Sequence, residues 1–326
     1  MKAQDDTIQH RWFTEVWNKG REAAIDEMMS PDAIGHGLVD ESGNEIRGAE
    51  AFKSFYRSFR GAFPDIRVIV EDTVSEGDKI VARCTVRATH TGEGIGLAPT
   101  NKPVEITGLC LVRVEGGRIA ESWNEFDFMT LYRQIGALPG VEIPTDDSVA
   151  GESSRMDARF IDSSPAAFRE GDANVEGKLA EPEYEKENTP EENKAMMRRW
   201  FEEVWNQGRE DAVAEMFASD GVAYGLSGSG DVPVRGPAGF KAHYRRVRAA
   251  FPDITITVED TVADGDKIAA RCVVRGTHTG EGLGVAATNK PVEITGLLIS
   301  RVKGGKTVEC WNNFDLLSLY RQIGAL

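Results

Sequence analysis

Residues 11–138 of this chain recur as residues 199–326, an offset of 188 positions without insertion or deletion, and 77 of the 128 aligned pairs are identical. A pattern of that length is too long for a solenoid repeat, so the chain is a tandem of two whole domains sharing one fold. A domain of about 130 residues buries enough surface to need no disulfide or metal staple. Agreement between the copies says little about function, because a recent duplication agrees everywhere. The positions where the copies differ are the informative ones, since those are where labour can be divided.

The repeat sets the expected organisation: a first domain over 1–138, a connecting segment over 139–191 and a second domain over 192–326. Residues 139–190 hold 13 Asp and Glu against 5 Lys and Arg, more than half of the chain's net charge of −15, and also 5 of its 13 prolines. Such a charged, aromatic-poor stretch cannot bury enough apolar surface to order itself, so it reads as a largely disordered tether, with one candidate docked piece near 160–168. The folded units are then only mildly acidic. No basic stripe points to nucleic acid, and the acidity disfavours anionic membranes. No apolar run approaches a membrane span, and the N-terminal MKAQDDTIQHRW lacks a signal-peptide core, so a cytoplasmic location is the expectation. Cys84, Cys110, Cys272 and Cys310 form no CxxC and read as buried, reduced thiols.

Within one copy, Ile8, Trp12, Phe13, Val16 and Trp17 give the stripe of a core-facing helix over 7–18, ended by the glycine of WNKG or WNQG. A second helix is expected over 21–29 and a short strand over 34–38. RGAEAFKSFYRSFRGAFPD then forms a third helix that places Phe52, Phe55, Phe59 and Phe63 in register and stops at Pro64. From there the period changes to two, with strands over 66–74, 79–90, 104–114 and 118–127, before a closing helix over 128–135. Three helices, a run of antiparallel strands joined by hairpins and a last helix make an α+β fold. A curved sheet backed by helices forms a cone whose mouth is a natural pocket.

The ending ITGLCLVRVEGGRIAESWNEFDFMTLYRQIG, together with WNKGREAAIDEMMSPD, RGAEAFKSFYRSFRGAFPD and THTGEG, resembles the SnoaL-like polyketide cyclases, often called ester cyclases, of the nuclear-transport-factor-2-like superfold. The resemblance covers both copies and leaves out the connecting segment. It implies an intramolecular aldol ring closure on a polyketide ester, with no metal and no organic cofactor. It also implies an acidic acid/base residue at Asp127 and Asp315, within WNEFD and WNNFD. The superfold also hosts isomerases, epoxide hydrolases and non-catalytic binding proteins, so a binding module for an apolar ligand stands beside the enzyme reading.

Read physically, an aldol closure needs a proton taken from carbon and returned to the new alkoxide, and one carboxyl of raised pKa serves both steps. Two-residue alternation puts Trp123, Glu125 and Asp127 on one strand face, so a tryptophan wall and a second acid stand beside Asp127. In the second copy Trp311 and Asn313 take those places. Asp127 and Asp315 also directly precede a helix and so read equally well as N-caps, a role that lowers a carboxyl's pKa. The resemblance puts His36 on the pocket wall, where an imidazole could shuttle a proton, while its place in the loop-rich GHGLVDESGNE reads equally as a surface histidine. Tyr224 replaces it in the second copy, which makes the first copy the expected catalyst if His36 matters.

Phe55, Tyr56, Phe59 and Phe63 are either plain core or the wall for a flat ligand. Tyr244, Trp17 and Trp205 join them as candidate substrate contacts. His243 and Val247 replace Phe55 and Phe59, so two pockets of different shape are expected. His90 and His278 end a strand before a glycine-rich loop and read as turn-stabilising. No His, Asp or Glu spacing suits a metal, GEGIG and GEGLG lack the context of a phosphate loop, and no GxSxG elbow is present. Two tethered copies at high effective concentration are expected to pair through their sheets as a pseudo-dimer.

Overall fold

The structure is a computed structural model that describes residues 7–39, 43–138, 188–226 and 232–326. The tether expected over 139–191 lies outside the described residues up to 187, as does its candidate docked piece at 160–168.

In the first domain α1 (Ile8–Trp12) runs on as a π-helical segment, Phe13–Asn18, whose wider turns bring Phe13, Val16 and Trp17 to the core together with Trp12. Asn18 ends it by mimicking a strand residue: its amide donates to the Val68 carbonyl at 2.8 Å and its Oδ1 accepts from the Val68 N–H at 2.7 Å. Asn206 does the same with Ile256. The WN-x-G signature therefore locks the first helix to the sheet. After α2 (Ala23–Met28) come β1 (Met29–Val39), β2 (Glu45–Arg47) and α3 (Gly48–Ala62), which ends just before Phe63 and Pro64. The strands β3 (Arg67–Glu76), β4 (Lys79–Thr89), β5 (Pro103–Glu115) and β6 (Arg118–Phe126) follow, then α4 (Phe128–Ile135). The β5–β6 hairpin turns on Gly116 and Gly117, both at positive φ (57° and 77°), the tight turn that suits the twist of the flanking strands.

The second domain repeats this order with α5 (Pro190–Arg199), a π-helical Trp200–Asn206, α6 (Ala212–Met216), β7 (Phe217–Tyr224), β8 (Val234–Arg235), α7 (Gly236–Ala250), β9 (Thr255–Asp264), β10 (Lys267–Thr277), β11 (Pro291–Lys303), β12 (Lys306–Phe314) and α8 (Leu316–Ile323). Each domain is thus an α+β unit built on one six-stranded sheet, ordered β2-β1-β6-β5-β4-β3 and β8-β7-β12-β11-β10-β9. One pairing departs from the expected antiparallel pattern: β1 runs parallel to β6, and β7 to β12. The long β1 is laid down before the hairpin meander and paired only after it, a connection that local periodicity does not reveal. No helix among the described residues is long and apolar enough to cross a membrane.

The helices cover one sheet face, and the other face of each sheet meets its counterpart in the second domain. Val74, Val81, Leu109 and Leu111 form one buried cluster with Val262, Ala269, Leu297 and Ile299. The contacts follow a pseudo-twofold: Lys79 pairs with Asp260 at 2.7 Å and Lys267 with Asp72 at 2.5 Å. The Arg83 guanidinium lies 4.4 Å from the Trp311 ring centroid and Arg271 lies 4.7 Å from Trp123. Each fully buried Val, Leu or Ile contributes roughly 1.5–3 kcal/mol, against about 0–1 kcal/mol for a partly exposed ion pair. The apolar cluster therefore holds the domains together, and the charges fix how they register. Met129 and Tyr132 of α4 also pack against the second domain's core, so the two closing helices meet at the junction.

Candidate functional site

Each domain encloses a cavity between its helices and the inner face of its sheet, and the two differ in size and chemistry. The first, of about 530 Å³ with its mouth, is lined by aromatic and aliphatic side chains including Trp12, Trp17, Phe55, Phe59 and Phe128, with Cys110 and Asn124 as polar groups. Trp17 stands edge-on to Phe55 and Phe59 at 6.3 and 6.0 Å, and Phe55 stacks on Phe59 at 5.8 Å, so rings fill most of the hollow. The second cavity, of about 1380 Å³ with its mouth, has His243, Val247 and Leu316 at the positions of Phe55, Phe59 and Phe128. It also has Ser300 and Thr307 where the first domain has Val112 and Ile119. Strand parity aims Asn124 and Phe126, or Asn312 and Phe314, inward. Gly108 and Gly296 let those phenyl rings lie flat across β5 and β11, since a Cβ there would sit 2.4 and 2.3 Å from ring carbons.

The polar groups of the two cavities are held differently. In the first domain the Asn124 amide donates to the His36 carbonyl at 2.9 Å, and its Oδ1 faces the Cys110 thiol at 3.1 Å. In the second, Asn312 donates to the Tyr224 carbonyl at 2.8 Å, but Leu298 replaces the thiol. His243 is buried, and its Nδ1 lies 3.3 Å from Nη2 of Arg246. Burial first, then the neighbouring Arg246 charge, push this imidazole's pKa down to about 3. Ser300 and Thr307 are 3% and 6% exposed.

The residues expected from alternation share a face, and that face meets the other domain. Trp123 lies under Arg271 and stacks on His36 at 5.2 Å; Trp311 lies under Arg83 and stacks on Tyr224 at 5.8 Å. His36 bridges Glu45 through Nδ1 and Glu121 through Nε2, clasping β1, β2 and β6 outside the cavity. Tyr224 is 36% exposed. Glu125 is buried between the domains: burial, more than the nearby Asp315, pushes its carboxyl up to about 8, while a hydrogen bond with Thr295 and the Arg271 charge oppose the rise. Its counterpart Asn313 donates to the Thr107 and Glu125 carbonyls, each at 3.2 Å. The acid beside Glu125 is thus Asp315 of the other domain. The sequence shows which strand residues share a face; it does not show which face turns inward.

Asp127 and Asp315 are N-caps, accepting from the Thr130 and Ser318 N–H groups at 2.9 and 2.8 Å. Burial raises the Asp315 pKa against the lowering effects of the Ser318 N–H and Arg321. Its chain neighbours Phe314 and Leu316 line the second cavity, but neither Asp315 nor Asp127 is among the lining residues of either cavity. Of the other candidates, Trp17, Phe59 and Trp205 line cavities. Tyr56 and Tyr244 are buried behind them, against Trp17 and Trp205 and beneath Arg60 and Arg248. His90 and His278 are fully buried, pack tilted against Phe63 and Phe251, and hold the glycine-rich loop through Thr100 and Thr288 at 3.1 Å. All four cysteines are buried free thiols.

The SnoaL-like polyketide cyclase family matches residues 7–135 and again residues 195–323. The chain belongs to that family. Among similar proteins, the aklanonic acid methyl ester cyclase DnrD of Streptomyces peucetius is 26% identical over 137 residues, which is 42% of this chain and 92% of that one. The nogalonic acid methyl ester cyclase of Streptomyces nogalater is 24% identical over 125 residues, 38% and 92% of the two chains. The crystal structure of IdmH from Streptomyces antibioticus is 35% identical, covering 40% of this chain and 97% of that one, with a TM-score of 0.36. Within this SnoaL-like chain, sequence reasoning missed Ser300, Thr307 and Asn312 as cavity groups. Hydroxyls at strand positions that are Val112 and Ile119 in the first copy were the available signal.

Proposed function

We propose that this SnoaL-like chain is a cyclase acting on a small, apolar, carbonyl-bearing polyketide ester, with the working cavity in the second domain and no metal or organic cofactor taking part. The observation that carries the reading is the large apolar hollow of that domain, lined by Phe314 and Leu316 on either side of Asp315 in the chain, a carboxyl group outside the lining itself whose pKa burial has raised. In an intramolecular aldol closure a base takes a proton from carbon next to a carbonyl. The resulting enolate carbon bonds to a second carbonyl carbon, and the alkoxide takes the proton back. The product is an isomer of the substrate. A carboxyl of raised pKa is better matched to a carbon acid than an ordinary one, and both proton transfers can use the same oxygen. Asp127 then remains a helix cap, in a domain whose own hollow is filled with rings.

The test is to incubate the full chain with aklanonic acid methyl ester, the substrate named for its relatives, and follow the appearance of an isomer by chromatography. Asp315→Asn keeps a good N-cap, so it is expected to lower turnover about 10²–10⁴-fold, the usual worth of a general acid/base. Asp127→Asn is expected to leave turnover within about twofold, since Asn is as good a cap as Asp. Full activity in the Asp315 variant would remove the mechanism. A second reading, a non-catalytic binder of apolar ligands, draws on the hydrogen bond that ties Asp315 to Ser318. Tight binding of the ester without an isomer would favour it.

A further inference from the structure

Asp315 is reached from across the domain junction. Its main-chain N–H donates to the Thr295 carbonyl on β11 at 3.1 Å, and the Thr295 side chain hydrogen-bonds the carboxyl of Glu125, which belongs to β6 of the first domain. One threonine therefore joins two carboxyl groups from different domains. The first domain repeats the arrangement with a different end. There the Asp127 N–H donates to the Thr107 carbonyl at 3.0 Å, and the Thr107 hydroxyl donates to Oδ1 of Asn313 at 3.3 Å. The crossing is the same in both directions, but Asp315 meets an acid and Asp127 an amide. Glu125 is 7% exposed, so its charged form is costly where it stands. Facing it are Asp315 at the head of α8, Arg271 of β10 and the Thr295 hydroxyl, with the buried Cys272 thiol also within reach of its charge. Burial pushes that thiol up and keeps it neutral. Two facing carboxyl groups resist carrying two charges at once. Glu125, the more deeply buried, keeps its proton, which leaves Asp315 charged, the state a base needs. Such coupling is mutual: once Glu125 ionises, Asp315 binds a proton more tightly and becomes the stronger base.

We infer that Glu125 of the first domain is a positioning residue for Asp315 of the second: it fixes Asp315 through Thr295, leaves it charged while holding its own proton, and strengthens it as a base on ionising. The first domain, whose own hollow is crowded with rings, then serves the reaction through the outer face of its sheet. Asn313 gives Asp127 no such partner, because an amide has no charge to gain or lose. The inference rests on Asp315 being the acid/base group, as proposed above.

The experiment follows turnover of aklanonic acid methyl ester by the full chain from about pH 7 to about pH 9, on either side of the value near 8 at which Glu125 ionises. The rise over that interval is expected to be about threefold larger in the parent than in Glu125→Gln, which stays uncharged throughout. Comparing the two rises cancels any ionisation of the substrate, and a merely structural role would scale both ends of the profile alike. Thr295→Val removes a donor that favours the charged form of Glu125 and is expected to move the rise to higher pH. A second readout does without turnover. The carbon-13 carboxyl signal of Glu125, assigned by its loss in Glu125→Gln, is expected to titrate about half a pH unit or more lower in Asp315→Asn, where the facing charge is gone. Equal rises in the parent and Glu125→Gln, or a Glu125 signal indifferent to Asp315→Asn, overturn the inference. Full turnover in Asp315→Asn removes the acid/base reading and this one with it, whereas an inactive Asp315→Asn beside equal rises removes this one alone.

Discussion

The two domains share their backbone plan and differ in how they fill it. In the first, Phe55, Phe59 and Phe128 crowd Trp17 and narrow the cone's hollow. In the second, His243, Val247 and Leu316 leave it open. Outside the hollow the copies agree closely: the asparagine clamp to the sheet, the capped closing helix and the histidine-held loop all occur twice. The shared anchors hold the scaffold while residues of the wall differ, which teaches that one backbone plan can carry two different contents.

Exchanging the wall residues should break the contrast most sharply. H243F/V247F is expected to weaken binding of aklanonic acid methyl ester by the second domain about 100-fold or more, since overpacking leaves no room for a ring system; dialysis of the folded variant checks it. The reverse exchange, F55H/F59V, should open the first domain at a stability cost of about 2–4 kcal/mol for the lost ring packing. Chemical denaturation reads the cost, and calorimetry should show a second ligand equivalent.

A subtler contrast lies at the junction, where Glu125 faces the second domain and Asn313 the first. The folded chain holds the Glu125 proton up to about pH 8, above the ordinary carboxyl value of 4.5. The unfolded chain releases it near that ordinary value. Stability from this group is therefore full below pH 4.5 and drains away as pH rises to about 8. Asp315, Arg271 and Thr295 of the second domain are the groups that face it. Glu125→Gln is expected to flatten the decline and to stabilise the protein at pH 8 by about 2 kcal/mol, as read from thermal unfolding across that range. The smallest effect belongs to the two arginines. Arg83→Ala and Arg271→Ala should each cost about 1 kcal/mol, and by similar amounts if the pseudo-twofold is as regular in solution as its 4.4 and 4.7 Å contacts.

Much of the fold was legible because it is written in local periodicity. The helix with Phe52 to Phe63, the meander and the closing helix over 128–135 follow from spacing and from Pro64 and Gly136. The parallel partner of β1 was not legible, because its pairing with β6 joins segments some ninety residues apart, His36 opposite Trp123 for instance. The site was half legible. The exchange of Phe55 and Phe59 for His243 and Val247 announced two different cavities. Parity grouped Trp123 with Glu125 correctly but gave no sign of which side the helices cover, so the inward Asn124 and Phe126 went unnoticed. The hydroxyl of Ser300 was hidden for a related reason: the stretch of β11 around it is buried on both faces and no longer alternates.

Glu125 opposite Asn313 has a consequence for stoichiometry. An assembly of two identical subunits receives every mutation in duplicate, so an acid placed at its axis would confront another acid. Fusion into one polypeptide lifts that restriction. An acid can stand across from an amide, one half can fill much of its hollow with rings while the other stays open, and the first half cannot exchange its partner for a copy of itself without bringing two glutamates together.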